Sequence, residues 1–347
     1  MRDNMDTQII TNPSDQELDM LARALRNGEL VSIPTETVYG LGANGLDPEA
    51  MDKIYAAKGR PSDNPLILHV PNSESIKPLV TEVSITAQRL MDTFWPGPLT
   101  ITLPKSDLVP DRATGGLPRV ALRCPDHKIC CALLERAGVP IAAPSANISG
   151  RPSPTTAQDV YHDMNGRISY ILDAGSCTIG VESTVVEVHD DKVIILRPGG
   201  ITKAQLETVV STVEYDTALV NANTKPKAPG MKYTHYAPDA PMTVVVGIPE
   251  RVASTFKELS EGIEGPIGCL VSHETYNLMK EDTRFIFHCF GNYGDALSLG
   301  HDFYKSLLHF NENHVTLILA EGVNDDGFGV AIMNRMEKAS SHHIIYK

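Results

Sequence analysis

One loop of the chain combines two cations with two polar side chains. Lys58 ends a predicted helix, Arg60 and Asn64 lie in the proline-containing turn that follows, and a short strand then delivers His69. Loops between regular elements commonly carry ligand sites, and both Lys and Arg can neutralise phosphate oxygens. The alternative is a solvated helix C-terminus, where the helix dipole favours basic residues without any ligand.

A second cluster lies where the apolar run VPIAA ends at Ala143. Ser145 and Asn147 follow directly, and Ser153 lies farther along a loop that Pro and Gly residues make irregular. The free backbone N–H groups of such a loop can cradle an anion. A simple turn that leads into the next helix is the alternative. Ser145 lacks the G-x-S-x-G context of a serine nucleophile, which argues against covalent catalysis.

Two arginines end predicted strands, Arg123 in RVALR and Arg197 in KVIILR. A guanidinium beside Gly or Pro at a strand end suits a phosphate or a carboxylate, because it binds such groups through two hydrogen bonds. Each arginine could instead form a structural ion pair. Together with Lys58 and Arg60, they supply the cations that a triphosphate site needs in a chain without a P-loop motif.

Gly40, Gly42 and Gly45 match the glycine spacing of a dinucleotide-binding loop. That fingerprint requires a helix directly after the glycines and an acidic residue about 20 positions on. Here the helix starts later, at Asp47, and Arg60 lies where the acid would be. We therefore interpret the glycines as structural, allowing another segment to approach closely. An NAD-dependent oxidoreductase is kept as a rival function.

The elements that must position these residues are strands and helices in irregular alternation. Ser14 and Glu17 form a capping box at the start of a helix that ends near Asn27, and a second helix runs from Asp47 to Lys58. Further strands are predicted over 66–70, 99–103, 119–123, 140–143, 168–173, 183–188 and 192–197, and further helices over 84–94, 126–137, 155–164 and 202–210. Because several strands follow one another without a helix between them, we expect an α/β domain with a mixed sheet.

The length of 347 residues predicts more than one domain. Residues 1–212 form the first, and residues 213–241, rich in Pro, Ala and Asn without apolar periodicity, form a linker. Strand and helix patterns resume over 242–347, which predicts a small three-layer α/β domain.

Composition narrows the class of protein. The net charge is −13, from 30 basic and 43 acidic residues, which argues against strong direct binding of nucleic acid. No apolar run approaches the roughly 20 residues that span a bilayer, and the N-terminus lacks the features of a signal peptide. The sequence therefore predicts a cytoplasmic protein that is not bound to a membrane.

Seven sequence blocks in order resemble one enzyme family, the long two-domain form of L-threonylcarbamoyladenylate synthase. They are PTETVYGLG, KGRPSDNPLILH, FWPGPLT, APSANISGRPSPT, GVESTVV, LRPGG and APGMKYTHYAP. The resemblance implies a YrdC-like twisted mixed sheet with helices, plus a smaller Rossmann-like α/β C-terminal domain. It also implies that the linker folds over the active site of a catalytic domain.

The resemblance further implies a nucleotidyltransferase reaction. L-threonine, bicarbonate and ATP give L-threonylcarbamoyladenylate and pyrophosphate, with Mg²⁺ accompanying ATP. The adenylate supplies the group for N6-threonylcarbamoyladenosine in tRNA through downstream tRNA threonylcarbamoyl transferase proteins. The alternative is an RNA-binding module of the same fold without adenylate synthesis, which would show a steep salt dependence of RNA affinity.

Site residues follow from the matching positions. For ATP the resemblance implies Lys58, Arg60, Asn64, Ser145, Asn147, Ser153, Arg197 and Tyr236, and for threonine it implies Thr37, His69, Arg123, the Ala143 backbone and Ser183. We expect Lys58 and Arg60 to stabilise charge without a covalent intermediate. Linker residues Lys232, Tyr233, His235 and Tyr236 would form a lid that excludes water. Arg119 stands where a small polar residue is expected, and it receives no role.

Overall fold

The structure is a computed structural model that describes residues 6–219 and 236–347. The chain divides into two compact units. Unit 1 comprises Met1–Ser149, Ser153–Thr178 and Glu182–Tyr233, and unit 2 comprises Gly150–Pro152, Ile179–Val181 and Thr234–Lys347. The predicted lid residues Lys232, Tyr233 and His235 lie outside the described residues.

Unit 1 contains one large mixed sheet. Among the residues described, its strands are β1 (Gln8–Thr11), β2 (Val31–Ile33), β3 (Gly40–Asn44), β4 (Ile67–His69), β5 (Leu99–Pro104), β6 (Arg119–Arg123), β7 (Ile141–Ala142), β8 (Tyr170–Asp173), β9 (Thr184–Val188), β10 (Lys192–Arg197) and β11 (Thr212–Tyr215). Their order is β1-β8-β2-β3-β7-β4-β6-β5-β9-β10-β11. The sheet contains both parallel pairs, such as β4 with β6, and antiparallel pairs, such as β5 with β6, so the prediction of a mixed sheet is confirmed.

The helices of unit 1 are α1 (Asp15–Arg26), α2 (Pro48–Lys58), α3 (Ile85–Phe94), α4 (Asp111–Thr114), α5 (Lys128–Ala137), α6 (Ala157–Met164) and α7 (Lys203–Glu207). Most of them begin at side-chain caps, and the sequence predicts those of α1 and α2. The predicted capping box of α1 is present, with the Ser14 side chain accepting from Glu17 N. Gly59 ends α2 in the left-handed region, with φ of 61°, which turns the chain toward Arg60.

The two faces of the sheet are covered differently. Helices α1 and α5 pack on one face over β2 and β7, while α2, α3 and α6 pack on the other. Leu68 of β4 and Leu122 of β6 belong to the core under α2, α3 and α6. Their neighbours in each strand therefore point to the opposite face of the sheet, on which α1 and α5 pack. There a small apolar cluster includes Ile67 and Ala121, beside the polar ends of β4 and β6.

The glycines that match a dinucleotide fingerprint lie in and just after β3, a strand that is not among the predicted elements. A Cβ on Gly42 would approach the Val31 carbonyl oxygen to 2.9 Å, and one on Gly45 would approach Leu68 Cδ2 to 2.7 Å. Close packing of β3 between its neighbours therefore requires these glycines. Their structural interpretation is confirmed.

Unit 2 carries a parallel sheet between helices. Its strands are β12 (Met242–Val246), β13 (Ile267–Val271), β14 (Phe285–Cys289), β15 (Leu317–Glu321) and β16 (Ile344–Tyr346), in the order β14-β13-β15-β12-β16. Helices α8 (Pro249–Leu259), α9 (His273–Met279), α10 (Ala296–Glu312) and α11 (Gly329–Ala339) alternate with them. Among the helices of the described ranges, none is long and apolar enough to cross a membrane.

Candidate functional site

A buried arginine organises the residues predicted for threonine. Arg123 ends β6 in register with His69 at the end of the parallel strand β4. Its guanidinium donates from Nη1 to Thr37 Oγ1 (2.9 Å) and from Nε to the Gly97 carbonyl (3.3 Å). Its Nη2 lies 2.7 Å from Glu36 Oε1. Three residues predicted to bind threonine, which lie on separate segments of the chain, are thus brought together.

Thr37 lies in a turn that its own neighbours fix. The hydroxyl of Thr35 accepts from the Thr37 backbone N–H (3.2 Å) and lies 2.9 Å from the Thr37 hydroxyl. It also donates to the Val38 carbonyl (2.6 Å). Such side-chain contacts to nearby backbone stabilise a turn, so the turn holds Thr37 toward Arg123 without help from regular structure.

His69 is kept neutral by its surroundings. Burial, and then the nearby charge of Arg123, lower the pKa of His69 to about 3, although backbone carbonyls oppose this shift. Its Nδ1 lies 3.2 Å from the Ile67 carbonyl oxygen, and a neutral imidazole has one donor and one acceptor. Nδ1 is therefore the donor, and Nε2 is a hydrogen-bond acceptor suited to a hydroxyl group.

Lys58 joins the two clusters that the sequence places far apart. Its ammonium donates to the carbonyl oxygens of Ser145 (2.5 Å) and Asn147 (2.6 Å), and it lies 3.5 Å from Asn147 Oδ1. The side chain is only 2% exposed. Burial and the adjacent Arg60 hold the pKa of Lys58 well below its usual range, while Asp163 opposes them. Lys58 therefore fixes the loop through the carbonyl oxygens of Ser145 and Asn147.

Arg60 and Asn64 lie in the turn after α2, and both are buried. The Arg60 guanidinium donates from Nη2 to the Pro65 carbonyl (3.2 Å). The Tyr55 hydroxyl donates to the Asn64 carbonyl (3.2 Å), and burial raises the pKa of this phenol to about 12. The turn is thus held from both α2 and the start of β4.

Ser183 and Arg197 form a second buried group. Arg197 donates to the Ser183 carbonyl from Nε (3.2 Å) and from Nη2 (2.9 Å), and Nη2 also reaches Ser183 Oγ (3.2 Å). The Ser183 hydroxyl lies 2.8 Å from Thr100 Oγ1. Ser153 donates to Glu182 Oε1 (2.6 Å). Ser183, predicted to bind threonine, is therefore in direct contact with Arg197, predicted to bind ATP.

Ala143 and Tyr236, the other two predicted site residues, lie in different units. The Ala143 backbone N–H donates to the Ile67 carbonyl (3.0 Å), so its carbonyl oxygen is the part of this peptide that can meet a substrate. Tyr236 belongs to unit 2, where its ring packs against Tyr304 with 5.3 Å between centroids. Its predicted role toward ATP stays a prediction.

Arg119 lines a cavity of about 230 Å³ in unit 1. Its guanidinium donates from Nη2 to the carbonyls of Thr102 (2.7 Å) and Val188 (2.9 Å). Burial lowers the pKa of Arg119, and Glu187 opposes that shift. Pro65 and Ala121 supply part of the apolar wall, so the cavity lies next to the Pro65 carbonyl that Arg60 holds.

The residues that could bind a metal are few. Within residues 6–219 and 236–347, no group of three or more His, Cys, Asp or Glu side chains is arranged to hold a metal ion. Any cation at this site would therefore need other ligands, such as phosphate oxygens and water.

Three residues of the site were not singled out from the sequence. Glu36 contacts Arg123, Thr100 contacts Ser183, and Glu182 contacts Ser153. Glu36 and Glu182 lie inside the quoted blocks PTETVYGLG and GVESTVV, next to predicted site residues. Their acidic side chains are typical of solvated turns, and only the tertiary structure reveals that they are buried.

Comparisons with known proteins place this geometry in a family. Residues 23–199 match a family model described as "Telomere recombination", and residues 201–341 match one described as "Threonylcarbamoyl-AMP synthase, C-terminal domain".

Full-length relatives give the same result. A threonylcarbamoyl-AMP synthase of Bacillus subtilis is 46% identical over 333 residues, covering 96% of this chain and 95% of the relative. One of Pyrococcus abyssi is 44% identical over 333 residues, covering 95% of each. The crystal structure of P. abyssi Sua5 complexed with L-threonine has a TM-score of 0.88 at 40% identity and covers 98% of this chain and 99% of that one.

Proposed function

The chain belongs to the threonylcarbamoyl-AMP synthase family, and from this premise we propose that it forms L-threonylcarbamoyladenylate and pyrophosphate from L-threonine, bicarbonate and ATP. The fold agrees with the family, since the mixed sheet of unit 1 and the parallel sheet of unit 2 match the P. abyssi structure over nearly the whole chain. The enzyme is therefore a nucleotidyltransferase.

One observation of the geometry carries the proposal. Within unit 1, Thr37 and His69 lie beside Arg123, Ser145 and Asn147 contact Lys58, and Ser183 contacts Arg197. The contact between Ser183 and Arg197 brings a residue proposed to bind threonine against one proposed to bind ATP. A site that joins an amino acid to a nucleotide needs these two kinds of partner side by side.

At the amino-acid end, each polar group of threonine has a partner of fitting chemistry. Arg123 can bind the carboxylate, because a guanidinium pairs with carboxylates in a fixed geometry. Neutral His69 and the Thr37 hydroxyl can bind the side-chain hydroxyl. The Ala143 carbonyl and the Ser183 hydroxyl complete the set, and each of these groups is held by contacts within unit 1.

The chemical step is proposed to need no covalent intermediate on the protein. The threonine amine and bicarbonate combine to a carbamate with loss of water. A carbamate oxygen then attacks the α-phosphorus of ATP as the bond to pyrophosphate breaks. Such a displacement mainly needs alignment and charge stabilisation. Lys58 and Arg60, aided by Arg197, supply positive charge at buried positions, where a low dielectric strengthens its effect.

We assign the purine of ATP to the cavity lined by Pro65, Ala121 and Arg119. Ligand pockets with mostly apolar walls and a few polar groups suit an aromatic ring. Because Arg60 donates to the Pro65 carbonyl at the edge of this cavity, a base bound there would leave its phosphates near the cations of the loop.

Mg²⁺ is proposed to enter with ATP. The described residues supply no cluster of three metal-binding side chains, and we therefore assign its ligands to phosphate oxygens and water and derive no step through it. The product would serve N6-threonylcarbamoyladenosine formation in tRNA through separate transferase proteins. The enzyme itself then need not bind RNA strongly, and its net charge of −13 agrees with this.

The test is an assay of pyrophosphate release from ATP with threonine and bicarbonate supplied together, singly or not at all. We expect release to require both, and we expect mass spectrometry to detect the threonylcarbamoyl adenylate. Pyrophosphate release that ignores threonine and bicarbonate would overturn the proposed function. Tight, salt-sensitive RNA binding without adenylate synthesis would favour the RNA-binding module instead.

A further inference from the structure

Glu36 and Arg123 present buried polar atoms without hydrogen bonds at the proposed threonine site. Glu36 is 6% exposed and Arg123 is 4% exposed. In the part of the chain that the structure describes, both carboxylate oxygens of Glu36 and Nη2 of Arg123 make no aligned hydrogen bond. Oε1 and Nη2 lie 2.7 Å apart and form an ion pair, whereas Oε2 of Glu36 has neither an ion-pair nor a hydrogen-bond partner among the described residues.

Buried polar atoms without hydrogen bonds raise the free energy of the folded state unless a ligand bonds to them. A buried donor or acceptor without a partner costs about 1–3 kcal/mol, and more when it is charged. The other donors of Arg123 are engaged, since Nη1 binds Thr37 and Nε binds Gly97. An ion pair built only to stabilise the fold would be expected to complete its hydrogen bonds, which this one does not.

The unsatisfied atoms are complementary to an α-amino acid. Arg123 Nη2 is a donor that can meet a carboxylate, and Glu36 Oε2 is an acceptor that can meet an ammonium group. The two charged groups of an α-amino acid are attached to the same carbon, so their partners must be adjacent, as Glu36 and Arg123 are.

We propose that Glu36 is the specificity-determining residue that binds the α-ammonium group of the substrate, while the adjacent Arg123 binds its carboxylate. This inference rests on the proposed function, which supplies threonine as the substrate. It assigns Glu36 a direct contact with substrate. The consequence is selection for the zwitterion. A ligand that carries the carboxylate and the side-chain hydroxyl of threonine but no ammonium group cannot neutralise the charge of the Glu36 carboxylate.

The first experiment uses the full-length wild-type protein and isothermal titration calorimetry. The ligands are L-threonine and the 2,3-dihydroxybutanoate of the same configuration, in which a hydroxyl replaces the ammonium group. We expect L-threonine to bind about 100-fold more tightly, as a charged hydrogen bond at a buried site predicts. Affinities within about 3-fold of each other would overturn the inference, whatever any variant does.

The second experiment compares Glu36→Gln with Glu321→Gln. Glu321 is also a buried carboxylate, lies in unit 2 and accepts hydrogen bonds from Ser272, so it controls for loss of a buried carboxylate. Glu36→Gln should weaken L-threonine binding roughly 10- to 100-fold and leave the dihydroxybutanoate bound as tightly or more tightly, because Arg123 loses a competing charge. Glu321→Gln should change neither affinity.

The outcomes separate the two ideas. Equal weakening of both ligands by Glu36→Gln would mean that Glu36 only supports Arg123, and the inference would be wrong. Threonine-dependent turnover without a preference for the ammonium group overturns this inference alone. A chain that binds no L-threonine overturns both the inference and the proposed function.

Discussion

His69 is expected to make unit 1 sensitive to acid in a way that can be measured. Its pKa is lowered from 6.5 to about 3 because it is buried beside Arg123. As pH falls below about 6.5, the unfolded chain gains a proton at this residue while the folded chain does not. The free energy of unfolding therefore decreases as pH falls, over the interval between those two pKa values.

The magnitude follows from the linkage relation. Between about pH 7.5 and about pH 5, a group with these two pKa values removes roughly 2 kcal/mol from the free energy of unfolding. The perturbation is therefore this pH change, applied to the wild type and to His69→Asn, which cannot gain the proton. On acidification, the free energy of unfolding of the variant should decrease by about 2 kcal/mol less than that of the wild type, whatever the stability of the variant at neutral pH.

Urea titration followed by tryptophan fluorescence is the assay, since Trp95 is the sole tryptophan of the sequence and lies in unit 1. His162→Asn is the control, because His162 is exposed on α6 and belongs to the same unit as Trp95. Equal acid sensitivity of the wild type and His69→Asn would refute the reasoning. So would a His69 imidazole NMR signal in the wild type that titrates above about pH 5.

Four further predictions concern binding and turnover. Replacing Lys58 and Arg60 together by Ala should lower pyrophosphate release about 100-fold or more through lost charge stabilisation, and unchanged turnover would contradict that role. Arg123→Lys should raise the threonine Kd about 10-fold or more, because an ammonium cannot reproduce the guanidinium contacts; calorimetry measures this. Ala121→Met should fill part of the cavity and raise the KM for ATP roughly 10-fold, while the threonine Kd changes less than about 2-fold; a change confined to threonine would refute the purine assignment. Chelation of divalent cations should stop turnover, and added Mg²⁺ should restore it.

Local signals in the sequence predict much of the fold. The capping box at Ser14 and the Asp47–Pro48 start of α2 are observed, because caps depend on residues within one turn of helix. The mixed sheet and the family resemblance are confirmed. Strand β3 is not predicted, since its glycines are required by the approach of β2 and β7, which are neighbours only in the folded chain.

The sequence by itself determines which residue types stand at the site and in which blocks: the cations of KGRPSDN, the small polar residues of APSAN and the arginines at strand ends. The tertiary structure decides their environment. It turns Lys58 toward the carbonyls of Ser145 and Asn147, buries Glu36 against Arg123, and keeps His69 neutral. These properties depend on desolvation and on charges that arrive from distant strands, and no spacing along the chain encodes them.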